Sequence, residues 1–416
     1  MRSALIEAFV AAVREDASAA TEVLRRQLAA ARGPLVEPID GDEGHVLVTF
    51  VWIGADGPVS VETQLVASEL AATSHPLTRV EGADVWVRST VVRADVRSIY
   101  QFVLDDPFLR PGDEVDPLAE MEATAALYLE MCARSYADPH NPCRLPPTLP
   151  AGSTTPPEEN WDSVLSLRDA EAVAWFDPPQ LAPTVIERKL ASAALGNERT
   201  LIVVPPCEQP QAVVVLLDGE WWFGVAALQA AVENLVSAGR IPPTLVAFIH
   251  NATAVSRQVE LACNPGLPAM LADELLPMLR EEYGAPDDPA AIVVGGASLG
   301  GLAAAHAAFV RPDAFGNVLS CSGSYWWGDE PEWLTWQYAE AERKPLRFWV
   351  DVGVLERERL PYGDGLDMVS VNRRFEQVLR TKGYDVTYRE TPGGHEFATW
   401  RGSAASGLQT LLAQHG

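Results

Sequence analysis

One stretch constrains this chain more than any other: "AIVVGGASLGGLAAAHAAF", running from Ala291 to Phe309. Its first half is a β-branched run suited to a buried strand. Its second half is rich in Ala and Leu and contains no Pro, which suits a helix. Between them Gly296-Ala297-Ser298-Leu299-Gly300 forms a G-x-S-x-G pattern around a lone serine. A backbone passing from strand to helix in so few residues must turn sharply, and the neighbours two positions from the serine must be tiny to avoid clashing. The turn leaves the Ser298 hydroxyl standing at its top, where a nucleophile belongs. Two other readings compete. A glycine-rich helix start packed closely on a sheet would carry no chemistry. A dinucleotide-binding turn would need G-x-G-x-x-G after the first strand of its unit, whereas this spacing differs and the element is the fifth strand of its region.

The surrounding sequence gives that turn its setting. "PTVIERKLAS" and "RTLIVVPP" read as an antiparallel pair, and "QAVVVLLDG" is the nearly continuous apolar run of a strand covered on both faces. Helices are expected over 224–239, 269–282 and 299–310, alternating with strands "TLVAFIHN", "AIVVGGAS" and "NVLSCSGS". The series ends with "LRFWVDVG", the helix "VSVNRRFEQVLRTKG" and "VTYRE". Strands alternating with helices argue for an α/β unit with a doubly wound, mostly parallel sheet over 182–416.

Residues 1–181 follow a different grammar. An amphipathic leading helix is followed by "HVLVTFVWIG", "VSVETQLV", "ADVWVRSTVVR" and "RSIYQFVLDD", short strands of the kind found in a β-sandwich. A helix is expected over 118–136, and "DPHNPCRLPPTLPAGSTTPPEEN" reads as a Pro-rich crossing segment. The net charge of −26 disfavours nucleic acid as a partner, because phosphate binding calls for a basic stripe and none is present. No run approaches the roughly 18–20 apolar residues of a membrane span. The N-terminal helix, interrupted by Glu7, Arg14, Glu15 and Asp16, reads as an amphipathic helix rather than a signal peptide. Five scattered cysteines without a CxxC pair read as reduced thiols. A cytoplasmic protein is expected, with no cofactor of its own and no oligomeric state implied.

A serine hydroxyl needs a base, and on a fold of this kind the chain order is Ser, acid, His. Beyond Ser298 only His395 and His415 lie at any distance, and His415 sits at the chain end. His395, in "ETPGGHEF" just after the last strand, is the expected base. The acid should follow "LRFWVDVG". Glu356 lies at the loop tip and is preferred; Asp351, inside the strand, is the alternative, and Glu358 a third candidate. An oxyanion would be met by two backbone N–H groups, Leu299 after the serine and Glu220 in "LLDGEWWFG" after the third strand.

Taken together, "LLDGEWW", "SRQVELACNP", "GGASLGG", "VLSCSGSYWW", "GVLERE" and "GGHEFATWR" resemble the blocks of the enterochelin esterases, which hydrolyse catecholate siderophores. The first half, including "DPHNP" at 138–142, resembles that family's N-terminal β-domain. The resemblance implies an α/β-hydrolase domain and cleavage of trilactone esters by Ser298 and His395 with a carboxylate at Glu356. Iron would enter only as part of the substrate. It also implies that Arg257 faces the substrate, a role that competes with a structural pair to Glu260. Trp221, Trp222, Trp326 and Trp327 would supply stacking for a flat, anionic tris-catecholate. An esterase for another lactone, depsipeptide or acylated metabolite is the close alternative. Carbohydrate esterase or acyltransferase activity, and a binding protein that kept the fold, stand further off.

Overall fold

The computed structural model describes residues 3–55, 57–65, 74–109, 127–179, 182–328, 330–358, 360 and 366–413. The chain divides into two compact units, 1–147 with 154–171 and 148–153 with 172–416. The expected division at 181/182 thus shifts. Residues 148–153 and 172–179 belong to the second unit, tied to it through the backbone carbonyls of Leu149, Trp175 and Asp177. The Trp221 indole N–H donates to Leu149 O, and the Asn234 amide donates to Trp175 O and Asp177 O.

In the first unit the leading segment is two helices, Ala4–Val13 and Ala17–Ala31, where one was expected. The break has a local cause, since the Asp16 carboxylate caps the second helix by accepting from Ala19 N at 2.9 Å. Among the described residues ten strands follow: β1 (Leu35–Ile39), β2 (Asp42–Ile53), β3 (Val59–Glu62), β4 (Ser74–Pro76), β5 (Thr78–Arg79), β6 (Val85–Arg93), β7 (Arg97–Leu104), β8 (Ser135–Tyr136), β9 (Arg144–Leu145) and β10 (Asp162–Ser166). They form two antiparallel sheets, β1-β2-β6-β5 and β4-β3-β7-β10-β9 with β8 on β7. Phe50 on β2 meets Tyr100 on β7 at 5.2 Å, and Trp52 meets Phe102 at 5.3 Å, so aromatic side chains of one sheet face those of the other. Of the helix expected over 118–136, residues 127–133 are helical, while 110–126 lie outside the described residues.

The second unit is built on β11 (Ile186–Ser192), β12 (Asn197–Val204), β13 (Ala212–Leu217), β14 (Thr244–Ile249), β15 (Ile292–Ala297), β16 (Asn317–Cys321), β17 (Arg347–Gly353) and β18 (Asp385–Thr391). Their order in the sheet is β11-β12-β14-β13-β15-β16-β17-β18. The expected pair β11 and β12 is antiparallel, and everything from β14 to β18 is parallel. The apolar run of β13 explains its central place: Val213, Val215 and Leu217 enter the core on one face, and Ala212, Val214 and Leu216 the core on the other. After β13 the chain turns first to one side, making β14, and then to the other, making β15. The carboxyl ends of β13 and β15 therefore flank a switch point, where open α/β sheets bind ligands.

The helix expected over 299–310 is found there, as Leu299–Val310. That expected over 224–239 is displaced and split into Gly219–Gly224 and Leu228–Ser237, with Ala227 in a left-handed conformation between them. The 269–282 helix runs from Gly266 to Tyr283 with a π-helical segment, Met270–Leu275, inside it. No helix among the described residues is long and apolar enough to cross a membrane.

Candidate active site

The turn between β15 and the Leu299–Val310 helix holds Ser298 at φ 56°, ψ −123°, a conformation that costs a non-glycine residue free energy and persists only where the surroundings enforce it. The enforcement is visible in contacts. Ser298 N donates to Cys321 O at 2.9 Å, and Ser298 O accepts from Leu302 N and Ser324 N. A Cβ on Gly296 would fall 2.6 Å from the Gly300 carbonyl carbon, so the two small positions of the pattern are needed where backbone passes backbone. The half-buried Ser298 hydroxyl lies 3.2 Å from that of Ser324.

After β18, Thr391 to Glu396 curl back over the sheet edge, with Leu355 N donating to Gly393 O at 3.1 Å. This brings His395 Nδ1 within 2.6 Å of Glu356 Oε2. The carboxylate is buried while the imidazole is one-third exposed, so the pair has a dry side and an open side. A carboxylate has no proton to give, so the shared proton sits on Nδ1 and the neutral ring keeps Nε2 as its basic nitrogen. The other oxygen of Glu356 accepts from Gly353 N at 2.7 Å and from the Ser322 hydroxyl at 2.5 Å. The Trp400 ring stands edge-on to the imidazole, 4.7 Å between centroids.

The alternative acid, Asp351, sits inside β17 with no exposed surface, and its Oδ2 accepts from the Thr391 hydroxyl at 3.2 Å. Burial pushes its carboxyl up to about 6. Glu358 is half-buried, and burial raises its carboxyl as well.

A second polar cluster occupies the ends of β13 and β14. Asp218, left-handed at φ 58°, takes the Arg257 guanidinium fork to fork, Nε on Oδ1 at 2.7 Å and Nη2 on Oδ2 at 2.8 Å. Asn251 donates to Asp218 at 2.7 Å and to the Glu220 carboxylate at 2.8 Å. Burial would lower the proton affinity of Arg257, but the adjoining Asp218 outweighs it and the guanidinium is held more firmly charged. For Glu220, burial first and the Asp218 charge second raise the carboxyl. The alternative to a substrate-facing Arg257, a structural pair with Glu260, is not what forms. Glu260 is buried with Arg199, 2.8 Å away, and accepts from Asn197 at 2.6 Å.

The tryptophans divide. Trp221 lies under the Arg257 guanidinium, 4.8 Å from its ring centroid. Trp326 and Trp327 are half-buried, packed edge to face at 5.4 Å. Trp222 is not available to a ligand: it is completely buried, its ring 5.1 Å from Phe397 in the core beneath the sheet. Its displacement follows from the early helix Gly219–Gly224, which turns successive residues to different sides, so that two adjacent tryptophans cannot share a surface. Glu220 lies in the first turn of that helix, and Leu299 in the first turn of the serine helix, the two places where backbone N–H groups lack intrahelical partners. Sequence reasoning missed Asp218 as the partner of Arg257, and the roles of Ser322, Ser324 and Trp400. "SCSGSYWW" offered the serines, but nothing in it marks which backbone turn they serve.

Similarity to known proteins agrees with this architecture. Residues 192–411 match the Esterase family model, and residues 47–176 match the model described as "Enterochelin esterase, N-terminal". The iron(III) enterobactin esterase of Dickeya dadantii is 29% identical over 99% of this chain and 98% of its own. The crystal structure of ferric enterobactin esterase from Salmonella typhimurium superposes with a TM-score of 0.75, at 26% identity, over 91% of this chain and 96% of that one. The enterobactin esterase of Shigella flexneri, crystallised in the presence of enterobactin, does so with a TM-score of 0.72 at 26% identity and the same coverage. The Esterase model spans more than half of the chain and the enterochelin esterase N-terminal model lies ahead of it, so the chain belongs to the enterochelin esterase family.

Proposed function

We propose that the chain is a serine esterase that opens the ester bonds of a catecholate siderophore trilactone, with Ser298 as nucleophile, His395 as base and Glu356 as the acid that orients it. The observation that carries the mechanism is the short contact between His395 Nδ1 and Glu356, at 2.6 Å, which leaves Nε2 basic. Ser298 Oγ attacks the ester carbonyl carbon while Nε2 takes its proton. The oxyanion is held by the N–H groups of Leu299 and Glu220. Collapse breaks the bond to the leaving alkoxide, which takes the proton from the imidazolium. Water, deprotonated by the same nitrogen, then releases the acyl group. The substrate reading rests on relatives matched along nearly the whole chain that act on iron(III) enterobactin. Iron would leave as part of the cleaved substrate, and the cytoplasm is the compartment assigned, in keeping with five cysteines that are all free.

A second reading, an esterase for another lactone or acylated metabolite, is favoured by one observation. Two side chains expected to meet an anionic aromatic ligand are committed elsewhere, Arg257 to Asp218 and Trp222 to the core. Mass spectrometry of the products from ferric and iron-free enterobactin separates the two. The siderophore reading expects a ring-opened product heavier by one water from the first cut, and shorter linear fragments from the later ones. No turnover of either form, with good turnover of a different lactone, would discard that substrate and keep the esterase.

A further inference from the structure

Three donors converge on Glu356: His395 Nδ1 on one oxygen, and Gly353 N and the Ser322 hydroxyl on the other. Ser322 has an unusual place. It follows β16 at φ 45°, a left-handed backbone that glycine would hold with less strain, and it is completely buried. What glycine would lack there is the hydroxyl. The Trp400 indole N–H reaches Ser322 Oγ at 2.9 Å. An indole nitrogen can only donate, so the serine oxygen accepts from it, and its single proton is turned toward Glu356. Trp400 stands at the same time edge-on to His395, so one tryptophan touches the imidazole directly and reaches the acid through Ser322.

We infer that Ser322 is a positioning residue for the proposed acid: its hydroxyl, oriented by Trp400, saturates Oε1 of Glu356 and so fixes Oε2 on His395. The inference rests on the assignment of Glu356 as the triad acid. Without this bond the buried carboxylate keeps only the Gly353 N–H on that oxygen and is held less firmly against rotation about its last torsion, so the imidazole has a less fixed partner. Substrate binding would not change, since Ser322 acts only through the acid.

The test is a cycle of variants, Ser322→Gly, Ser322→Ala, Glu356→Gln and each Ser322 variant combined with Glu356→Gln, assayed on a p-nitrophenyl ester. Ser322→Gly suits the left-handed backbone and guards against a fold defect in the alanine protein. Both single Ser322 variants should lose about tenfold to a hundredfold in kcat, the range for a charge-assisted hydrogen bond, with KM unchanged. In the Glu356→Gln background the same substitutions should cause no further loss. Wild-type kcat in Ser322→Gly beside a crippled Glu356→Gln overturns this inference alone, as does an equal fall in both backgrounds. Wild-type turnover by Glu356→Gln overturns the triad assignment and this inference with it.

Discussion

At the scale of single residues, the two candidate acids are separated by what surrounds them. Glu356 touches the imidazole, whereas Asp351 is enclosed in β17, where burial raises its carboxyl to about 6. Glu356→Gln should therefore lower kcat by about three to four powers of ten, as loss of an orienting carboxylate does. Asp351→Asn should instead show its effect in stability. A carboxyl that binds its proton more tightly when folded costs stability as pH rises from the unfolded value, near 4, through the folded value of about 6, and the loss levels off about one unit above that. Replacing it with Asn removes the titration. Between about pH 5 and about pH 7.5 the wild type should thus lose roughly 1 kcal/mol relative to Asp351→Asn in urea unfolding. A difference that grows with the opposite sign would mean that Asp351 is stabilised as the anion. Ser298 and His395 could be singled out in the sequence because chain order and a glycine-flanked turn restrict the choices. The partner of Arg257 could not be, because Asp218 lies 39 positions away in the sequence and reaches it only where the ends of β13 and β14 come together.

At the scale of elements, the serine turn works because two strand-to-helix positions carry no side chain. Gly296→Ala would put a methyl against the Gly300 backbone, 2.6 Å from its carbonyl carbon, where no rotamer change gives relief. A loss of about 1–3 kcal/mol in urea unfolding, accompanied by loss of turnover, is expected, and an active, undiminished alanine variant would contradict the geometry. The Asp218–Arg257 pair makes a matching claim at the ends of β13 and β14. Arg257→Met leaves a buried carboxylate without its cation and should cost about 3 kcal/mol, whereas the added change Asp218→Asn should restore much of it. Equal destabilisation of the single and double variants would mean that the pair is not coupled. The strands and their mostly parallel direction were readable, since apolar runs alternating with helices mark strands covered on both faces, whereas their order across the sheet was not. The helix after β13 was misplaced because "LLDGEWWFG" carries no capping side chain: Asp218 makes no cap hydrogen bond and is spent on Arg257 instead.

At the scale of the whole molecule, the net charge of −26 opposes the approach of an anionic substrate. If the substrate is a ferric tris-catecholate, its kcat/KM should rise severalfold as ionic strength goes from about 10 mM to about 150 mM, while a neutral p-nitrophenyl ester stays level. A fall with salt would instead reveal a cationic funnel stronger than the global field. The central claim is that Ser298 and His395 act as one catalytic unit on an ester. The most direct measurement is kcat for ester hydrolysis by Ser298→Ala, His395→Ala and the double variant, each verified as folded by circular dichroism. The account predicts that either single change removes several powers of ten and that the second change removes little more. Wild-type-like turnover by Ser298→Ala, or a double variant slowed by the product of the two single effects, would contradict it.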